Sequence, residues 1–400
     1  MEKKTVIYDM ILNIIATAIP TVVLQLVILP SMANFVNGDK YGLIVTILAV
    51  LNIIPSTVGN MLNNVRLLHE EDYKSNGIKG DFQILLILFE ILNVVVMMFI
   101  SIYYLGKSDF IGIILLIFVS VFLLGREYYI IAFRLDLNYI SILLNNIFMV
   151  IGYLIGFLLF YITGYWQFVF LMGYVLSCVF ILIKSDIIRE PIMKTNLFKV
   201  VTRDTIFLII ATILSRAMNY ADKILLYPLL GGTMVSIYYA ATVFGKVVSL
   251  AITPINSVAL SYLSKVIKKP DSLFRWTYVT GSGVCIIGYA FAVALSRPVL
   301  SILYPQFVDE AMKYIWITSA TTAVSVLSSL ITPFVLRYYE IKWQIIINGI
   351  TTVGYIITSL VLLKLFNLMG LCIGALIANI LKLIITTYIY MKNSAEKNIS

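Results

Sequence analysis

The sequence predicts an all-α polytopic membrane protein, with about twelve transmembrane helices in two six-helix lobes around a central cavity. Three observations carry this. Of 400 residues, 61% are hydrophobic and only 12% are charged, whereas soluble domains average about a quarter charged. Apolar stretches long enough to cross a bilayer recur along the chain. One charged segment containing a proline divides them six and six.

The first apolar stretch covers 10–30. It follows a charged start, MEKKTVIYD, and no small-residue cleavage site follows it, so it reads as a membrane helix and not as a removed signal. The next five lie near 41–62, 83–105, 110–131, 139–161 and 164–184. The last two are split only by the turn at Thr163-Gly164. Spans 7 to 12 lie near 205–229, 234–260, 276–296, 311–336, 343–365 and 369–391. Between the sets runs KSDIIREPIMKTNLFKVVTRD, residues 184–204, with Pro191 inside it. The implied organisation is an N-terminal lobe at 1–190, a cytoplasmic linker at 191–204 and a C-terminal lobe at 205–400.

Orientation follows from the loop cations. With both termini on one side, twenty Lys and Arg collect there and five lie opposite. That side is therefore cytoplasmic, and the net charge of +9 reflects topology, giving nucleic-acid binding no support. The three cysteines lie in separate apolar segments, and His69 is the single histidine. Disulfide framework, metal centre and histidine catalysis are thereby disfavoured.

The halves echo one another. Pro30 ends span 1, Tyr41 opens span 2 and Pro55 interrupts it, as Pro228 ends span 7, Tyr239 lies near the start of span 8 and Pro254 interrupts that. Six spans per repeat is even, so the repeats run parallel, which implies an axis along the membrane normal and a substrate site between lobes.

Four of the 29 cations lie inside spans: Arg216 and Lys223 in span 7, Lys246 in span 8 and Lys382 in span 12. A central Arg or Lys costs roughly 2.5–3.5 kcal/mol to insert, which makes function the default reading. Span 7 sets Thr205, Thr212, Arg216, Asn219 and Lys223 on one face. Span 8 does the same with Thr242, Lys246, Ser249, Thr253 and Ser257. Weaker polar stripes run along span 1 (Asn13, Thr17, Thr21, Gln25) and span 2 (Asn52, Ser56, Asn60, Asn63). Such stripes wall a wet cavity or serve helix packing; the Ser/Thr-rich span 10 reads as packing or a hinge. The intramembrane acids are Asp222, about 100° around the helix from Lys223, and Glu90 in span 3. Each reads as a coupling group or a structural partner. Four cations against two acids leave a positive surplus, which an anionic substrate would satisfy.

NYADKILLYPLLGGTMVSIYYAATVFGKVVSLAITPINSVALSYLSK, residues 219–265, resembles the seventh and eighth helices of polysaccharide flippases at Asp222, Lys223, Gly231, Tyr238, Ala240, Pro254, Leu263 and Ser264. The resemblance implies a Wzx-type (O-antigen or capsule) member of the multidrug/oligosaccharidyl-lipid/polysaccharide (MOP) superfamily, with a MATE-like fold. By the same resemblance it would be a non-enzymatic flippase of the bacterial inner membrane carrying undecaprenyl-diphosphate-linked oligosaccharide by alternating access. An H+ or Na+ gradient would drive it, with no cofactor, and membrane lipid and other polysaccharide-assembly proteins would be its partners. The diphosphate would meet Arg216, Lys223, Lys246 and Lys382, with Asn219, Thr242, Ser249, Asn52, Asn60 and Gln25 also lining the cavity.

The alternatives are a MATE-type multidrug exporter and a membrane polysaccharide polymerase or ligase. The first would favour acids in spans 1 and 2, which hold none at mid-span. The second would carry a large outer loop, and the longest here, near 297–310, is too short for a catalytic domain. A scramblase or scaffold would not need four buried cations.

Overall fold

The computed structural model describes residues 3–248 and 269–392 apart from Glu340, with Ile252, Asn256, Ala259, Leu263 and Val266 between them. It describes the backbone alone at 3–11, 215, 217–219, 341, 342 and 345. Among the described residues the regular elements are all helices. Among the described residues, nine helical stretches are long and apolar enough to cross a membrane. One of them, Ile346–Met391, holds spans 11 and 12, which meet at a non-helical kink at Phe366 and Asn367. Spans 5 and 6 do divide at Gly164, whose φ of 78° ends Tyr139–Thr163 in the left-handed region that glycine tolerates. Large apolar side chains such as Phe99, Leu158, Ile183, Ile287 and Ile302 stand exposed along these helices, a surface suited to lipid.

Prolines behave differently from expectation. Pro30 does not end span 1; it follows a five-residue π-turn, Leu24–Ile28, and lies inside Leu29–Phe35. The wider turn hands hydrogen bonding from the fourth to the fifth preceding carbonyl, where a residue without an N–H fits more easily. Pro228 lies inside Phe198–Leu230, two residues before its end. Pro55 does interrupt span 2, separating Gly38–Ile53 from Pro55–Asn76 at Ile54 (φ −96°, ψ −80°). Pro254 lies outside the described residues.

The chain forms two compact units. Unit 1 is Met1–Met32 with Leu43–Ile224, and unit 2 is Ala33–Gly42 with Leu225–Ser400. In unit 1, spans 5 and 6 cross closely because Gly152 and Gly156 leave room: a Cβ there would sit 2.4 Å from the Met172 carbonyl oxygen and 2.3 Å from that of Phe168. In unit 2, Gly370 and Gly374 do the same between spans 11 and 12, against Leu362 and Ser359.

The segment expected as a linker is folded onto unit 1. Ile187 and Val201 join its core beside Leu62, Phe82 and Tyr128. Buried Asp81 accepts hydrogen bonds from Thr195 N at 2.6 Å and from the Tyr73 hydroxyl at 2.6 Å. Span 7 starts at Phe198, earlier than its hydropathy suggests, and belongs to unit 1 as far as Ile224. In unit 2 the short segment 33–42 docks on the start of span 8. Asp39 Oδ1 accepts from Thr233 N at 2.9 Å and Thr233 Oγ1 at 2.8 Å, capping the helix Gly232–Ala241. Tyr41 and Tyr239, the tyrosines at equal spacing from Pro30 and Pro228, touch edge to face at 6.0 Å, with Tyr304 and Phe307 against the same ring of Tyr41.

Candidate functional site

Arg216 is held at the break in span 2. Pro55 cannot donate, so the helix opens there, and Nη1 of Arg216 donates to the Asn52 carbonyl at 2.8 Å and to Ser56 Oγ at 2.9 Å. Both acceptors are neutral. Among the described residues Arg216 forms no ion pair, and it stays half-buried. Along the same stripe, Thr212 Oγ1 lies 3.1 Å from Met61 Sδ, and Thr205 is fully buried, bonded to its own helix at Val201. Thr212 and Arg216 thus face span 2. Only the backbone of Asn219 is described.

Lys223 and Asp222 pair with each other, correcting the expectation that they diverge. Nζ reaches both carboxylate oxygens, at 2.7 and 2.8 Å, and the side chain of Lys223 is 8% exposed. The four-carbon stem curls back across the 100° offset that backbone geometry imposes. Tyr220 lies beneath the ammonium at 5.8 Å.

In unit 2, span 8 breaks at Thr242 (φ −101°, ψ 2°), and Thr318 of span 10 donates to the Ala241 carbonyl at 2.8 Å. Thr242 Oγ1 bonds the Tyr239 carbonyl at 3.1 Å. Lys246, one turn on, sets Nζ over the Tyr239 ring at 2.8 Å from its centroid and 3.4 Å from its carbonyl oxygen. Ser249, Thr253 and Ser257 lie outside the described residues. Lys382 is half-buried in span 12, where its carbonyl accepts from Thr386.

Of the other expected lining residues, Asn60 joins two helices while Asn52 bonds within its own. Asn52 Nδ2 bonds the Leu48 carbonyl at 2.8 Å. Asn60 reaches Glu127 Oε2 at 3.5 Å, and Asn63 donates to the Glu127 carbonyl at 3.0 Å. Gln25 sits in the π-turn with Oε1 buried and unbonded. Glu90 accepts from Asn93 at 3.4 Å, and Asn93 in turn donates to Ser120 at 3.1 Å.

Loop counting missed two buried cations. Arg66 and Arg126 lie inside helices, at 9% and 11% side-chain exposure, and not in cytoplasmic loops. Arg66 makes a two-pronged pair with Glu190 and bonds the Tyr128 hydroxyl at 2.9 Å. Arg126 Nη1 meets Glu127 Oε1 at 2.6 Å, while Asn146 and Ser177 accept its other donors. Asn146 then donates to the Ala16 carbonyl at 2.8 Å, which ties span 1 to the network. The signal was present as R-E at 126–127 after an apolar run, yet an interfacial pair reads identically. Near the end of Pro55–Asn76, His69 bridges Asp72 and Asp204 at 2.9 and 3.1 Å. No cluster of three or more His, Cys, Asp or Glu suited to a metal occurs among the described residues.

The sequence matches no family model and no curated protein. Solved structures do match. The chain is similar to an inward-facing multidrug resistance MATE family transporter of the MOP superfamily, at 14% identity and TM-score 0.65, over 96% of this chain and 100% of that one. It is similar to the lipid II flippase MurJ in an inward closed conformation, at 13% identity and TM-score 0.68, over 97% and 86%. It is also similar to a mutant of the Vibrio cholerae MATE transporter VcmN, at 12% identity and TM-score 0.62, over 96% and 94%. Fold at such identity does not fix activity. The chain has the fold that MATE transporters and the lipid II flippase MurJ share.

Proposed function

We propose that the protein is a flippase for polyprenyl-diphosphate-linked oligosaccharide, working by alternating access in the bacterial inner membrane with both termini cytoplasmic. The observation that carries this reading is Arg216. It is an intramembrane guanidinium whose bonds among the described residues go only to the neutral Asn52 carbonyl and Ser56 hydroxyl. A positive charge kept in the membrane without a carboxylate is costly unless an anion visits it. A guanidinium suits a diphosphate because its planar fork can bond two oxygens at once. The fold agrees, since one solved neighbour is a lipid II flippase. Lys246 and Lys382 are further candidates for the anion, and an H+ or Na+ gradient is the proposed drive. Lys223 is a weaker candidate, because Asp222 already neutralises it.

The experiment replaces Arg216 in a strain that depends on this protein for surface glycan. Arg216→Gln keeps a donor for Asn52 and Ser56 but removes the charge. We expect glycan to fall severely at unchanged membrane level of the protein. Undiminished glycan would refute the role of the charge.

A second reading, MATE-type export of organic cations, rests on Glu90, an acid inside span 3 whose described partner is the neutral Asn93. Drug-sensitivity profiling of Glu90→Gln tests it: altered resistance to cationic dyes with intact glycan would favour export.

A further inference from the structure

A groove of about 510 Å³ opens in unit 1 beside the start of span 7, at the end that the proposed orientation makes cytoplasmic, outside the charge sites described above. Lys194, Lys199 and Arg203 line it together with Phe198, Ile206 and Phe207. Its mouth is cationic. Lys194 Nζ sits over the Phe198 ring at 4.8 Å, which anchors the ammonium at the rim without cancelling its charge. Arg203 shares Asp204 at 3.2 Å, and that carboxylate is also held by His69. No lining residue is acidic.

Its floor is apolar and continues down the helix. Ile206, Phe207, Ile210 and Leu214 are exposed at 43%, 65%, 53% and 65%, spaced so that they prolong the face begun by Lys199 and Arg203. Phe207 lies eight residues beyond Lys199, about 12 Å along the axis. The polar layer of a bilayer is roughly 5–8 Å deep on each side. With Lys199 among the phosphates, Phe207 therefore stands among acyl chains. A soluble anion would use the mouth and leave the floor bare, whereas a lipid uses both.

We infer that this groove binds one anionic glycerophospholipid of the cytoplasmic leaflet, its phosphate between Lys194, Lys199 and Arg203 and an acyl chain along Phe198, Ile206 and Phe207. Basic pockets on the cytoplasmic side of helix bundles hold such headgroups, and each cation there contributes roughly a fivefold gain in affinity.

The test is native mass spectrometry of the full-length chain in detergent, titrated with phosphatidylglycerol, phosphatidylcholine or inorganic phosphate. The wild type should bind one phosphatidylglycerol at least tenfold more tightly than phosphatidylcholine. Lys194→Gln/Lys199→Gln/Arg203→Gln should lose that bound lipid. The exposed single change Lys199→Gln, which spares the Asp204 contact, should weaken it roughly fivefold, and Phe207→Ser should weaken it with all charges intact. Undiminished binding in Lys199→Gln and Phe207→Ser, each with an unchanged melting temperature, overturns the proposal. So does displacement of the lipid by millimolar inorganic phosphate, which would mark a site for a free anion.

Discussion

The two units carry their charges differently. In unit 1, buried cations meet carboxylates or amides: Arg66 with Glu190, Arg126 with Glu127 and Asn146, and Arg134 with Asn63 and Asn64. In unit 2, two lysines lie against rings: Lys246 lies on Tyr239, and Lys269 lies 5.6 Å from the Tyr339 ring and 4.7 Å from that of Tyr390, with Asp271 Oδ1 3.9 Å from its Nζ. A carboxylate cancels a cation, whereas a ring face steadies it and leaves its charge available. The close pairs of unit 1 fix structure through short hydrogen-bonded contacts, and the ring contacts of unit 2 hold an ammonium by a weaker, less directional attraction. Arg216 is the exception within unit 1, because its partners are a carbonyl and a hydroxyl.

Breaking a unit 1 pair should have the largest effect. Arg126→Ala strands the Glu127 carboxylate in a buried site and should cost about 3–5 kcal/mol, read as a large fall in melting temperature in detergent. A double change, Arg126→Met with Glu127→Gln, should recover much of that loss. If the single change is silent, the pair is solvated and the contrast between units fails.

Next comes a steric change in unit 2. A Cβ on Gly42 would lie 1.9 Å from the Gly232 carbonyl oxygen, which is backbone and cannot turn aside. Gly42→Ala should destabilise by about 1–3 kcal/mol through overpacking, measured in the same way.

Replacing the ring under Lys246 should act more gently. Tyr239→Leu should cost about 0.5–2 kcal/mol of cation–π energy, to which lost packing against Tyr41 adds, while Tyr239→Phe should keep the cation–π part. Equal losses in the two variants would show that the hydroxyl, and not the ring face, matters. The smallest expected effect is at the cap: Asp39→Ala removes two hydrogen bonds to the exposed Thr233 and should cost about 0.5–2 kcal/mol, towards the lower end.

How much of this was legible in the sequence divides along the same physical line. Hydropathy sums over twenty residues, so the spans emerged, including the division at Gly164. A helical stripe shows which residues share a face but not what that face meets. For Thr212 and Arg216, it is Met61 and Asn52, more than 150 residues away, that decide what the face packs against. Arg66 read as a loop cation because its partner, Glu190, lies 124 residues on, at the far end of the N-terminal lobe. The Asp222–Lys223 pair escaped because backbone angle was used where the reach of a lysine stem decides.

The central claim, that Arg216 offers its charge to an anionic lipid-linked substrate, is tested most directly by binding. Purified wild type, Arg216→Gln and Arg216→Lys would be titrated with a polyprenyl-diphosphate sugar. Loss of a charged hydrogen-bond partner should weaken binding about 10- to 100-fold in Arg216→Gln, with a smaller loss in Arg216→Lys, which keeps a point charge. Equal affinity in all three proteins, each folded, would contradict the account.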